Sequence, residues 1–377
     1  MRTALVRTAL DGPWKITQFA SSTGQATFVP NTNYSGPVKA TISKFEELPF
    51  TSDSSEYNQV TSGSGPDIGY VPWQDVNSQR TRISGLGYSI TPWILFSFNY
   101  MQLNLNAQGV GPTLSQLYVR QALEYVMDQP AIVNGPYEGY ASPSYGPVPV
   151  APANSEVDST EKSNPYPYSP TKAKALLTGH GWTTKAGVET CTKPGTAANE
   201  CGAGVAAGAK MSFNLQYASG FTSFDQLNAS FKSNASLAGI QINLSSAPFT
   251  TVIGKAVPCK PGPKCSWQIQ NWGGGWVYVP DYYPTGGELY ATGAAANYAS
   301  YSNPMMDSLI AATHTATPSQ AQPALNTYQD YAATQLPGVI YEPEPDYQVT
   351  LVRNGITGVV PQNAYSFITP ENFRVSK

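Results

Sequence analysis

The chain of 377 residues is long enough for two or three domains and at least one sizeable core. Charged residues make up only 12% of it and the net charge is -3, so there is no basic excess of the kind nucleic-acid binding requires. Hydrophobic residues at 41% exclude a disordered chain, and no run reaches the roughly 18 apolar residues of a membrane span.

The first residues, Met1–Leu10, carry positive charge but no apolar run of signal-peptide length. Pro13–Phe19 and Ala26–Pro30 alternate as strands, with Ser21-Ser22-Thr23-Gly24 as the turn between them. Asn31–Pro37 is a second turn cluster, and Asp67, after Ser64-Gly65-Pro66, reads as a turn residue. Pro92–Asn104 is an apolar, aromatic run that reads as one buried strand. In Ser115–Met127, Val119, Leu123, Val126 and Met127 fall on one helical face, which leaves Arg120 as a surface or salt-bridging group. Ser169-Pro170 opens another helix, with Ser as N-cap and Pro in the first turn, and Gly179 or Gly181 closes it.

Residues 211–245 form the clearest unit. Met211–Tyr217 alternates as a strand, Phe224, Leu227 and Phe231 recur at helical spacing, Gly239 ends the helix, and Ile240–Leu244 alternates again. Strand, helix and strand of this length make a βαβ crossover, so part of the sheet is parallel. Asn303-Pro304 and Gln322-Pro323 start two more helices, and Val339–Tyr341 and Val349–Val352 are strands. The expected class is α/β or mixed α+β.

Four cysteines flank two short loops, Cys191 with Cys201 and Cys259 with Cys265. Three pairings are possible, and the nearest-neighbour one is expected. Neither pair has the spacing of a zinc knuckle. Two loop-closing disulfides imply an oxidising compartment. His180 and His314 sit in no recognisable motif, so neither a metal site nor a Ser/His/Asp site is expected, and no cofactor motif is seen.

The most unusual stretch is Trp272–Pro284, in which three glycines separate Trp272 from Trp276 and Val277, Tyr278, Asp281 and two further tyrosines follow. It reads either as a ligand platform, with flat rings beside accessible backbone, or as a tight turn among core aromatics. Glu342-Pro343-Glu344-Pro345-Asp346 holds three carboxylates; their local, Pro-spaced arrangement reads as a solvated connection rather than as the paired acids of a glycosidase.

Several segments, in this order, resemble the extracytoplasmic solute-binding proteins of peptide and nickel ABC transporters. They are Gly12–Phe19 with Phe28–Asn31 and Tyr34–Pro37; Val119–Asp128 with Ala131-Ile132-Val133; Tyr137–Pro143 with Gly146–Pro149; Asn164–Pro170 with Lys172–Leu177 and Gly181-Trp182; and residues 303–376. The resemblance implies a periplasmic-binding-protein-like fold, two lobes joined by a hinge with a peptide or similar solute held between them, and delivery to a membrane permease without chemistry. It begins partway into the family's length, so the chain is expected to be the later two-thirds of such a protein. On this reading residues 1–95 and 346–377 form a partial first lobe and 96–345 the second, with crossings near Leu95–Asn104 and Tyr341–Gln348. The intact protein is expected to be a monomer outside the cytoplasm, held to the membrane by a lipid anchor. The family's Gly-Trp loop matches Gly275-Trp276-Val277-Tyr278. Its acidic anchor aligns near Val279, where the nearest acid is Asp281, and Tyr70 and Tyr347 are further ligand-facing candidates. A secreted carbohydrate-binding or glycan-cleaving protein is the alternative, since Trp and Tyr faces also suit sugar rings.

Overall fold

The computed structural model describes residues 12–278, 285–346, 348–359 and 368–376, the side chain of Gln348 excepted. The chain divides into two compact units, residues 1–95 with 347–377, and residues 96–346.

In the first unit β1 (Trp14–Phe19) and β2 (Ala26–Pro30) pair antiparallel, and β3 (Phe45–Glu47) adds to β2. Phe45 stacks on Phe28 at 4.5 Å and meets the edge of Trp14 at 4.8 Å, which fixes this small sheet by aromatic contact on one face. α1 (Asp53–Val60) begins at Ser52, whose side chain accepts the Ser55 N–H. β4 (Ile68–Tyr70), α2 (Val76–Gly85) and β5 (Tyr88–Trp93) follow. The return strand Gln348–Arg353 lies between β4 and β5, antiparallel to both. Asp67 does sit in a bend, and it accepts from Arg353, which also donates to the Tyr88 hydroxyl at 2.6 Å.

The second unit is built on β6 (Ser97–Leu103), buried at every position. The expected single strand over Pro92–Asn104 is two strands: β5 ends at Trp93, Ile94–Phe96 breaks the ladder, and β6 starts in the other unit. A continuous apolar run shows no seam when both of its halves are buried. α3 (Gly111–Leu114) leads into α4 (Leu117–Glu124), which buries Val119, Ala122 and Leu123. Arg120 is not on the surface. It is 5% exposed and makes no ion pair among the described residues; its guanidinium donates to the carbonyls of Leu114, Ser115 and Gln335. Desolvation lowers its pKa to about 10, so it keeps its charge at neutral pH against three carbonyl dipoles. Arg120→Met is expected to leave those carbonyls unmatched and to cost about 2–4 kcal/mol in a urea melt.

α5 (Gln129–Asn134) is capped by Asp128. After β7 (Ala141–Ser142) and α6 (Ser159–Lys162), α7 (Pro170–Gly179) starts where Ser169 accepts the Lys172 N–H at 3.2 Å, and packs on α4. His180 follows as its C-cap and stacks on Tyr118 at 3.8 Å. β8 (Trp182–Lys185) and β9 (Val188–Cys191) form a hairpin. Then β10 (Ser212–Ala218), α8 (Thr222–Leu237) and β11 (Gln241–Ala247) make the expected crossover, with Ser212 opposite Gln241 and Ala218 opposite Ala247 in parallel register. Phe224, Leu227 and Phe231 are its buried face, and Gly239 takes the left-handed conformation (φ 76°) that releases the chain into β11. α9 (Phe249–Lys255), β12 (Ile269–Asn271) and β13 (Trp276–Val277) come next. α10 (Pro304–Thr315) is capped by Asn303, while α11 (Ala321–Gln335) starts before the Gln322-Pro323 pair, since Pro within the first turn removes no helical hydrogen bond. β14 (Val339–Glu342) and β15 (Glu344–Pro345) complete the unit. The class is mixed α/β, with a six-stranded sheet of β11, β10, β12, β6, β13 and β14 at its centre.

Both nearest-neighbour disulfides are present, Cys191–Cys201 with Cα atoms 6.1 Å apart and Cys259–Cys265 at 5.5 Å. They close loops of 10 and 6 residues, so each is worth about 2–3 kcal/mol by restricting the unfolded chain. Reduction with dithiothreitol is therefore expected to lower the melting temperature measurably, and an unchanged melt would contradict that assignment.

Candidate functional site

The site is an open strand edge. β6 takes β12 and β13 along one edge and β14 along the other. On the first edge the Asn104 N–H donates to Gln268 O at the far end and Phe96 O accepts from the Tyr278 N–H at the near end, both at 2.9 Å. β12 and β13 are thus one interrupted strand, with Trp272–Gly275 looping out between them. Beyond β12 lies β10, which pairs Leu215 with Ile269 through Tyr217 with Asn271 and then ends at Ala218. β13 therefore extends past the end of β10, and among the described residues no strand covers its outer edge. Alternation along the strand directs Trp276 backbone groups at Phe98 and the Val277 N–H and C=O outward. Among the described residues this outward pair has no strand partner, and such a pair is a template for one more extended chain.

Gly275 is what lets β13 approach β6. A Cβ on it would lie 1.7 Å from Phe98 O and 2.7 Å from the Asn99 Cα, both backbone atoms that cannot swing aside. Gly273 takes φ 78° in the loop, and it is exposed, with Gly274 to Val277 half-buried. The loop is thus accessible on one side. Two of the rings assigned to a ligand platform are not on it. Trp272 is 5% exposed and held edge-on by Tyr100 at 5.6 Å and Tyr298 at 6.1 Å. Tyr278 is fully buried among Phe96 and Phe98, and its hydroxyl donates to Pro147 O at 3.0 Å. Both are packing residues under the loop, because a Trp or Tyr in an aromatic-rich core gains more from burial than from exposure. Tyr70, on β4 of the first unit, is half-buried and pairs in register with Thr350. Asp281 and Tyr347 lie outside the described residues.

The acidic segment is a correction. Glu342 and Glu344 are 1% and 6% exposed, in strands rather than in a solvated connection. Glu342 accepts from the Asn271 amide at 2.9 Å, Glu344 from the Ser97 hydroxyl, and the Asp346 N–H donates to Tyr140 O. Burial pushes both glutamates up to about 8 and Asp346 to about 6. Glu124 on α4, which accepts from the Tyr341 N–H, is also raised by burial. At neutral pH Glu342 and Glu344 hold protons and act as hydrogen-bonding core residues. They are enclosed in the unit rather than displayed across a cleft, so they do not form the separated acid pair that glycoside hydrolysis requires.

The sequence profile of the bacterial extracellular solute-binding proteins, family 5, matches residues 6–291. The chain belongs to this family. A curated relative, the glutathione-binding protein GsiB of Pectobacterium atrosepticum, is 25% identical over 174 residues, 45% of this chain and 31% of that one. GsiB of Escherichia coli O1:K1 is 39% identical over 137 residues, 31% of this chain and 26% of its own. The matched stretch thus spans between about a quarter and a third of these relatives. Among solved structures, the oligopeptide-binding protein AppA of Bacillus subtilis, in complex with a nonapeptide, has a TM-score of 0.77 at 16% identity, covering 97% of this chain and 66% of AppA. NikA of Staphylococcus aureus, in complex with Ni(L-His)2, has a TM-score of 0.73 at 16% identity, covering 97% of this chain and 69% of its own. These likenesses establish the fold.

For this family 5 chain the sequence pointed to the Gly-Trp loop but missed the open edge. β13 has two residues, too few for any periodicity to register. The buried glutamates carried no sequence signal, because a carboxylate gives the same letter protonated or ionised. Among the described residues no group of three or more His, Cys, Asp or Glu could hold a metal ion, and no helix is long and apolar enough to cross a membrane.

Proposed function

We propose that this family 5 protein is the substrate-binding component of an ABC importer, capturing a peptide or peptide-like solute outside the cytoplasm and passing it unaltered to a membrane permease. The family match over residues 6–291 carries the reading. The relatives' names, a glutathione-binding protein and an oligopeptide-binding protein seen with a nonapeptide, favour peptide chemistry, and the two disulfides suit an oxidising compartment. The two units are proposed as the two lobes of this class, the first of them partial.

The outward N–H and C=O of Val277 are proposed to pair with the ligand backbone as an added strand, which needs no particular ligand side chain. Gly275 sets the position of that edge, and Trp276, half-buried beside it, is proposed to lie along the ligand. Tyr70, Asp281 and Tyr347 stand as the other proposed contacts. No bond is broken in this scheme, so no catalytic residue is assigned.

Val277→Pro tests the edge. Proline deletes the outward N–H and leaves the ladder from β13 to β6 in place, which an edge strand tolerates. Titration calorimetry against a pool of short peptides is expected to show affinity reduced about three- to tenfold, the worth of one backbone hydrogen bond, with an unchanged melting temperature. Unchanged affinity would remove β13 from the site.

A further inference from the structure

A second recess lies away from this edge, under α9 and the Cys259–Cys265 loop. It has a volume of about 340 Å³, at the small end of the roughly 300–1,000 Å³ typical of small-molecule sites. Its floor is the polar face of the sheet. Phe213 and Leu215 of β10 are buried, so alternation turns Asn214 and Gln216 the other way, next to Gln268 and Gln270 at β12. These amides form a loose carpet. Asn214 N–H donates to Gln268 Oε1 at 2.7 Å, and Gln270 Nε2 reaches Gln216 Oε1 at only 3.5 Å. Gln270 is 2% exposed, yet its Oε1 has no hydrogen-bond partner among the described residues. A buried amide oxygen in that state gains from any donor that reaches it.

The rim is cationic. Lys255 and Lys264 line the recess, both are exposed, and neither ammonium group forms an ion pair or hydrogen bond among the described residues. From Pro248 to Pro280 the sequence carries these two lysines and Lys260, with no Asp or Glu, within a chain of net charge -3. The wall is held rigidly. The disulfide closes it, Asn106 donates to Cys259 O at 2.8 Å, and the Trp267 ring N–H donates to Val257 O at 3.1 Å. The indole is thereby committed to packing, so the recess offers amides and ammonium groups rather than a stacking face.

We propose that this recess binds a small hydroxylated anion, a sugar acid or a polyol phosphate, with the lysines on the charge and the amides of Gln216, Gln268 and Gln270 on the hydroxyls. Amide side chains donate and accept at once, which matches hydroxyls, while two ammonium groups repel a cation and favour an anion over a neutral guest by charge attraction. The site is separate from the peptide edge and independent of its assignment.

Titration calorimetry of the full chain with gluconate and with glucose 6-phosphate tests it, with glucose and inorganic phosphate as controls. At least one of the two hydroxylated anions is expected to saturate, at least tenfold tighter than either control, and which of them does so identifies the anionic group. Lys255→Ala/Lys264→Ala is expected to weaken that binding at least tenfold, and Gln216→Ala severalfold, with circular dichroism and peptide titration unchanged. No saturation by either anion, glucose binding as tightly, inorganic phosphate binding as tightly, or a double variant that binds like the parent would each overturn the proposal.

Discussion

The melting temperature is expected to fall steeply as pH rises from 5 to 8. Glu342 and Glu344 are buried protonated, with pKa pushed up to about 8 from an ordinary 4.5. Because the folded-state values are raised, the unfolded chain releases these protons first. The stabilising contribution is complete below about pH 4.5 and is lost as pH climbs through the folded values near 8. Each group alone would account for a few kcal/mol, and their mutual repulsion once ionised adds to the slope. For a unit of this size a loss of several kcal/mol corresponds to roughly 10 °C or more. Glu124, Glu161, Glu56 and Asp346, all raised by burial, act in the same direction. Scanning calorimetry from pH 5 to 8 checks this, and Glu342→Gln/Glu344→Gln, which mimics the protonated pair, should flatten much of the slope. A melt that is flat or rises with pH would mean that these carboxylates are ionised and solvated after all.

Gly275→Ala is expected to abolish peptide binding and to destabilise the fold together. The new methyl would enter Phe98 O, so either β13 lifts off β6 or the β6 backbone shifts. Overpacking against backbone costs about 1–3 kcal/mol or more. Gly274→Ala is the matched control: a Cβ there meets only the Trp272 ring, at 3.7 Å, an ordinary contact. Comparable melts for the two variants would show that the close approach of Gly275 is unimportant.

How far the sequence speaks follows from how many residues share in each signal. The crossover over Ser212–Ala247 was legible because two alternating strands, a helical apolar stripe and Gly239 all agree. The disulfides were legible from short spacing. Arg120 was misread because its helix face is apolar on both sides of it, and only the tertiary fold brings Leu114, Ser115 and Gln335 carbonyls to its guanidinium. Glu342 and Glu344 were misread because Pro spacing and acidity ordinarily mark solvated chain, whereas their burial depends on Asn271 and Ser97 contributed from distant strands. Of the aromatic loop, composition could not tell Trp276 from Trp272 and Tyr278, since packing neighbours far away in sequence decide which ring is covered.

The central claim is capture of an extended solute without chemical change, along the edge that Gly275 positions. Native mass spectrometry of the chain, incubated with a pool of short peptides and then denatured to recover what it holds, tests that claim most directly. One peptide bound per chain, released with its mass intact, is the expected result. Recovery of cleaved fragments, or no adduct with any peptide in the pool, would contradict it.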